Sequence, residues 1–275
     1  MTDEALVGQA ALITGGGSGI GLACARHLLR DGASVTIAGR NEAKLRAAAA
    51  TLEADAPSDA TVAYVAGDVS NEADVERMVA TATEATGGLQ LAVAAAGTGT
   101  LAPIVRMTAD AWNAVLATNL TGAFFTIKHT ASAMLRDQTN RGAVVAISSI
   151  AGPLTHRFMS AYCVSKAGLE SLVRNAADEL GPRLRVNAVQ PGLVPTDLAA
   201  GLVNTPDVHA DYLAQMPLGR TGTVDDVASI VRVLLGPESS WVTGQLVAVD
   251  GGHTLRRGPN VEPLARLLYG DDLGT

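Results

Sequence analysis

Short apolar runs alternate along this chain with longer stretches whose apolar residues recur at helical spacing. The compact run Gln9–Thr14 is followed by a glycine cluster and then by Ile20–Arg30, where Ile20, Ala23, Ala25, Leu28 and Leu29 predict one helical face. Ser34–Ala38 predicts a second strand, and Asn41 supplies an N-cap for a helix through Leu52. Thr61–Val65 predicts a third strand. Asn71, with Asp74 three residues on, opens the next helix in the manner of a capping box.

Leu91–Ala96, Ala143–Ile147, Leu184–Val189 and Leu246–Val249 are four further apolar runs, each nearly free of charge. Such runs suit parallel strands covered on both faces. Helical patterns separate them over 108–137 (interrupted near Asn119), Tyr162–Leu180 and Val224–Leu235. Gly181-Pro182 and Gly236-Pro237 mark helix ends, since neither residue propagates a helix. Strand–helix alternation of this kind implies βαβ units: an α/β protein with a doubly wound parallel sheet of seven strands and helices on both faces. No repeat and no linker divides the chain, so one domain accounts for it.

Composition narrows the field. With 20 Lys and Arg against 27 Asp and Glu, the net charge of −7 argues against a general affinity for nucleic acid. Hydrophobic residues at 48% and charged ones at 17% are enough for a large core and too apolar for disorder. Two cysteines build no disulfide framework, which places the chain in the cytoplasm. No run approaches the ~18 apolar residues of a membrane span. The acidic start Met1-Thr2-Asp3-Glu4 lacks the basic region of a signal peptide. The five histidines show no metal-ligand spacing, so no metal is expected.

Two motifs carry chemistry. Thr14-Gly15-Gly16-Gly17-Ser18-Gly19-Ile20-Gly21 lies where the first strand turns into the first helix. Glycine permits a sharp turn and close approach to a pyrophosphate, and the helix N-terminus offers free N–H groups and partial positive charge. Tyr162-Cys163-Val164-Ser165-Lys166 places a phenol and an ammonium four residues apart, on one helix face. A cation ~4 Å from a phenol is worth about 4 kcal/mol at an effective dielectric of 20, a lowering of roughly three pKa units, whereas burial without a cation acts the other way. Such a pair suits general acid–base work on an alcohol or ketone oxygen.

These motifs resemble the short-chain dehydrogenase/reductase family, whose fingerprint is Thr-Gly-x-x-x-Gly-Ile-Gly with a later Tyr-x-x-x-Lys. The likeness runs in order over about residues 6–252. It implies a single Rossmann-fold domain, here 1–252, and a nicotinamide cofactor held by Gly15, Gly17, Ser18, Gly19, Ile20 and Gly21. It also implies a catalytic serine about thirteen positions before the tyrosine, which selects Ser149 over Ser148, beside Tyr162 and Lys166. Asn119 matches the fourth catalytic member, which interrupts a helix and holds a water on a proton path. Asp68 and Val69 follow the third strand, where the resemblance implies a contact with adenine, the favoured reading; helix entry is the alternative role for that aspartate. Ala95 and Gly97 approach the cofactor through backbone, while Pro191, Gly192, Val194 and Thr196 face its nicotinamide end. Gly244-Gln245 and Asp250-Gly251-Gly252 match the last-strand signature. One departure stands out: Ala94-Ala95-Ala96-Gly97 replaces the usual Asn-Asn-Ala-Gly.

Cofactor choice and substrate follow from local chemistry. An acidic residue at the end of the second strand, roughly 20 residues beyond the glycine loop, would bond the ribose 2′-hydroxyl of NAD. This chain has Gly39-Arg40 there, with Glu42 left to the following helix, so NADP(H) is favoured and NAD(H) is the alternative. Three loops, Thr98–Arg106, Pro153–Ala161 and Val194–Arg220, supply Leu101, Ile104, Leu154, Phe158, Met159, Leu198, Leu202 and Val203 to an apolar pocket for a carbonyl or alcohol substrate. His156 and Arg157 are its polar candidates, or else ordinary loop residues. The predicted function is a carbonyl–alcohol oxidoreductase, with reduction of a 3-oxoacyl thioester as one alternative and nucleotide sensing without turnover as another. The segment 253–275, apolar at Leu255, Leu264, Leu267, Leu268 and Tyr269, is expected against a neighbouring subunit of a homotetramer, with a fold back onto its own subunit as the alternative.

Overall fold

The computed structural model describes residues 5–136, 141–271 and 273; the acidic start and the end of the 108–137 helix lie outside them. Seven strands form one parallel sheet in the order β3-β2-β1-β4-β5-β6-β7. They are β1 (Ala10–Thr14), β2 (Ser34–Gly39), β3 (Val62–Ala66), β4 (Leu91–Ala94), β5 (Gly142–Ile147), β6 (Leu184–Pro191) and β7 (Leu246–Val249). The helices are α1 (Gly19–Arg30), α2 (Glu42–Ala54), α3 (Glu72–Thr86), α4 (Ala109–Leu116), α5 (Gly122–Arg136), α6 (Ser160–Leu180), α7 (Ala200–Val203), α8 (Pro206–Gln215), α9 (Val224–Leu235) and α10 (Glu262–Tyr269).

Period-2 geometry explains the continuous apolar strands. Ile13, Val93 and Val145 point into a core with α1, α2 and α9. Their neighbours Leu12, Ala92 and Val144 point into a second core with α3, α5 and α6. Each strand therefore needs apolar residues on both faces. Strand order reverses at β1, flanked by β2 and β4, and the crevice beyond the strands' C-terminal ends is the expected ligand position.

Local departures have local causes. The Asn71 side chain accepts from Ala73 N, but Asp74 accepts from Asp68 N at 2.8 Å, so the expected capping box does not close. The helix near Asn119 is not broken: Ala117–Thr121 form a π-helical turn between α4 and α5. Strand β4 stops at Ala94, two residues early, whereas β6 runs on to Pro191 beside β7.

Candidate active site

A cavity of about 690 Å³ opens beyond the C-terminal ends of the strands. On one side the glycine loop turns tightly from β1 into α1. Gly15 has φ +70°, and a Cβ there would lie 2.7 Å from the backbone nitrogen of Ala96. A Cβ on Gly21 would run into the carbonyl of Gly15. The N-cap Ser18 makes no side-chain bond to the helix, and the first turn of α1 carries no acid. Its N–H groups and positive helix end thus remain available to an anion at the cavity wall, as a pyrophosphate requires. The residues fit a dinucleotide.

The opposite side brings four side chains together from three elements. Ser149 follows β5, and Tyr162 and Lys166 stand one turn apart on α6; all three line the cavity. Asn119 sits behind the wall in the π-helical turn. Its Oδ1 accepts from Thr98 N–H at 2.8 Å, and its Nδ2 donates to Thr98 O at 2.8 Å and Ser165 Oγ at 3.0 Å. Ser165 in turn donates to the Tyr162 carbonyl at 2.7 Å. A Cβ built on Gly97 would lie 3.6 Å from Asn119 Oδ1 and 3.9 Å from Lys166 Nζ, so a bare backbone separates the amide from the ammonium.

Electrostatics correct one expectation. The ammonium was expected to draw the phenol's pKa down. In this arrangement burial pushes the Tyr162 phenol up, with the neighbouring Ser149 hydroxyl pulling it back. Burial pulls Lys166 down to about 8, opposed by the Glu170 carboxylate. The cause is where the ammonium points: Nζ donates to the Ile147 carbonyl at 2.8 Å and lies 5.6 Å from the Tyr162 ring centre.

Most residues expected at the cofactor gather around this one cavity. Gly15, Ser18, Gly19, Ile20 and Gly21 line its phosphate side, with Arg40 exposed at the rim. Ala95 and Gly97 line the middle, and Pro191, Gly192, Val194 and Thr196 the far end. Three are not brought to the wall. Gly17 faces Leu45 of α2. Asp68 accepts from Ser70 N–H and Oγ at 2.9 and 2.8 Å, the helix-entry role, and Val69 is buried against Gly122. Of the pocket residues, Leu101, Met159, Leu198 and Leu202 line the cavity, whereas Ile104 is exposed and Phe158 and Val203 pack in a separate cluster. His156 is buried in the wall, and Arg157 turns outward to Glu262.

A family model described as enoyl-(acyl carrier protein) reductase matches residues 15–254. The 2-(S)-hydroxypropyl-CoM dehydrogenase 3 of Xanthobacter autotrophicus is 36% identical over 254 residues, 90% of this chain and 98% of its own. The chain belongs to the short-chain dehydrogenase/reductase family. It is accordingly a nicotinamide-dependent oxidoreductase of alcohol and carbonyl groups.

Other short-chain dehydrogenase/reductase relatives agree. The 3-oxoacyl-(acyl-carrier-protein) reductase FabG of Chlamydia pneumoniae is 32% identical, covering 92% of this chain and 99% of its own. A short-chain type dehydrogenase/reductase from Mycobacterium ulcerans superposes with a TM-score of 0.93 at 39% identity over 98% of both chains. That share includes most of the segment after Gly252. Levodione reductase superposes at 0.85 with 32% identity, over 91% of this chain and 99% of that one.

One feature of this short-chain dehydrogenase/reductase is missing from the sequence-based expectations. Glu170, buried one turn beyond Lys166, accepts from Ser148 Oγ and Gln190 Nε2, both at 2.8 Å, and so ties the ends of β5 and β6 together. Its i+4 spacing from Lys166 was the available signal. The tail was expected on a neighbouring subunit, with a fold back onto its own subunit as the alternative; Val261 and Ala265 are buried against their own chain, with Leu255, Leu267 and Leu268 left exposed. Glu72, Glu76 and His129 come together on α3 and α5, away from the cavity, but Glu72 is taken by the Lys128 ammonium at 2.5 Å. Among the described residues no helix is long and apolar enough to cross a membrane.

Proposed function

We propose that this enzyme interconverts an apolar ketone and its secondary alcohol with NADP(H), Tyr162 exchanging the proton with the substrate oxygen. The observation that carries the reading is the meeting of the Ser149 and Tyr162 hydroxyls at the wall of one cavity, with the Lys166 ammonium buried beside them. When bound, the nicotinamide cofactor supplies or accepts the hydride. Ser149 donates a hydrogen bond to the substrate oxygen as negative charge develops there. Tyr162 gives that oxygen its proton on reduction and takes it back on oxidation. Lys166, released from Ile147, lowers the cost of the tyrosinate. Asn119 braces Thr98 and Ser165 and holds the route from the lysine to solvent.

Gly39 leaves space and no negative charge at the rim, and Arg40 offers a guanidinium suited to a 2′-phosphate, which favours NADP(H) over NAD(H). Asp68 and Val69 belong to the adenine end of the same reading. The apolar lining from Leu101, Met159, Leu198 and Leu202 favours a hydrophobic ketone. The relative named for a 3-oxoacyl thioester keeps that substrate as the second reading. A cytoplasmic homotetramer completes the proposal, with the exposed tail leucines at the subunit contact; the solution mass of the intact chain, set beside one ending at Gly252, tests it. For the activity, ketones, alcohols and acyl thioesters are supplied with NADPH or NADH and cofactor absorbance is followed. Turnover of ketones is the expected result, and turnover of acyl thioesters alone would replace it with the second reading.

A further inference from the structure

A third apolar cluster stands apart from the two that sandwich the sheet. Leu193, Val208, Tyr212 and Met216 are buried in it together with Val261, and Leu264 packs against them. The last two residues come from the tail, so this small core is complete only when the tail is docked.

Polar contacts tie the tail to each of the three loops around the cavity. On the 194–220 side, the Asp211 carboxylate of α8 accepts from both arms of Arg257, at 2.5 and 3.1 Å, and from Asn260 N–H at 2.6 Å. Those bonds hold the Asp211 carboxyl below its ordinary pKa although burial opposes them. On the 153–161 side, Arg157 donates to Glu262 at 2.6 Å, and a Cβ on Gly258 would collide with the Thr155 carbonyl. On the 98–106 side, Tyr269 Oη donates to the Leu101 carbonyl at 2.5 Å. The loops also hold each other. Phe158, with a left-handed φ of 67°, accepts from Ala102 N–H at 2.8 Å. A single exposed ion pair contributes little. A bidentate pair, two further anchors and a shared apolar cluster fix α10 over all three loops.

From that helix Leu264 reaches the cavity wall, joining Leu101, Met159 and Leu202, and its Cδ2 lies 3.9 Å from where a Cβ on Gly201 would stand. Glycine at 201 leaves the leucine room on α7. We infer that α10 is the specificity-determining element of the substrate pocket and that Leu264 sets the length of apolar group a carbonyl substrate can carry. The inference rests on the ketone reading of the same site. The roof belongs to the chain whose pocket it covers.

The test uses the full chain and 2-alkanones from 2-butanone to 2-decanone with NADPH. One methylene in an apolar pocket alters kcat/KM by about tenfold or more. The ratio of kcat/KM for 2-decanone over 2-butanone should therefore rise about tenfold in Leu264→Ala and fall about tenfold in Leu264→Trp. Asp211→Asn, which loosens Arg257 and Asn260 without touching the cavity, should flatten the length profile and speed hydrogen exchange in 257–269. NADPH affinity, read by cofactor fluorescence, should be equal in all four proteins. An identical length profile in wild type and both Leu264 variants overturns the inference. If wild type turns over no ketone, the carbonyl reading fails separately, and alkanone-induced thermal shifts make the same comparison. Length-dependent shifts that move with residue 264 sustain the roof, and shifts indifferent to it overturn the roof as well.

Discussion

The Lys166 ammonium donates to the Ile147 carbonyl at 2.8 Å while standing 5.6 Å from the centre of the Tyr162 ring. The lysine is thus held by the end of β5, and burial pulls it to about 8. Between that value and its ordinary 10.5 the unfolded chain binds more protons than the native state, so this group's contribution makes stability rise with pH across the window, by up to about 3 kcal/mol. Lys166→Met removes the buried charge and the bond to Ile147. At pH 7 it should gain about 1–2 kcal/mol of stability while losing activity. Urea unfolding at pH 7, 8.5 and 10 checks this, and a variant less stable than wild type at pH 7 would show that the charge is not costly.

Tyr162→Phe deletes one hydroxyl at the cavity wall and leaves the ring packed. Folding and cofactor affinity should persist while turnover drops at least ~10²-fold. Steady-state kinetics with a cofactor titration separate the two, and near-native turnover would refute a proton-transferring tyrosine.

His156 is buried, with its Nδ1–H directed at the Leu154 carbonyl at 3.1 Å, and burial pulls it down to about 4. Between about 4 and the ordinary 6.5 the unfolded chain takes a proton that the native ring refuses. Stability therefore falls as pH drops through this window, by up to about 3 kcal/mol, and His253, also pushed down by burial, acts in the same direction. His156→Gln should remove its share of the slope. Equal slopes from pH 7 to 4.5 in variant and wild type would rule out this assignment.

Arg40 is exposed at the cavity rim, and the carboxylate of Glu42 nearby is turned to Arg46 at 3.0 Å. A guanidinium that meets a 2′-phosphate contributes ~1.5–3 kcal/mol, so Arg40→Ala should lower kcat/KM for NADPH about 10-fold or more and leave NADH nearly unchanged. A wild-type preference for NADH would be fatal to the NADP(H) reading.

Local rules carried the sequence a long way. Apolar runs without charge, a glycine loop and N-caps such as Asn41, which accepts from Lys44 N at 2.9 Å, determine the strand and helix order because each depends on neighbours within a few residues. The Tyr162–Lys166 spacing was legible for the same reason: four residues on a helix is one face.

What lies far apart in sequence needed the fold. Asn119 meets Ser165 across 46 positions, and Tyr269 meets Leu101 across 168. No periodicity encodes such partners. The direction of the Lys166 ammonium was likewise undetermined, since a flexible four-carbon stem takes whichever acceptor the packed strands present, here the Ile147 carbonyl. The tail shows the same limit: its apolar residues required that it be buried against something, without saying as what element or against which surface. Only the tertiary structure, by placing Asp211, Arg157 and Leu101 around one opening, decided that the tail would be buried over its own chain's pocket.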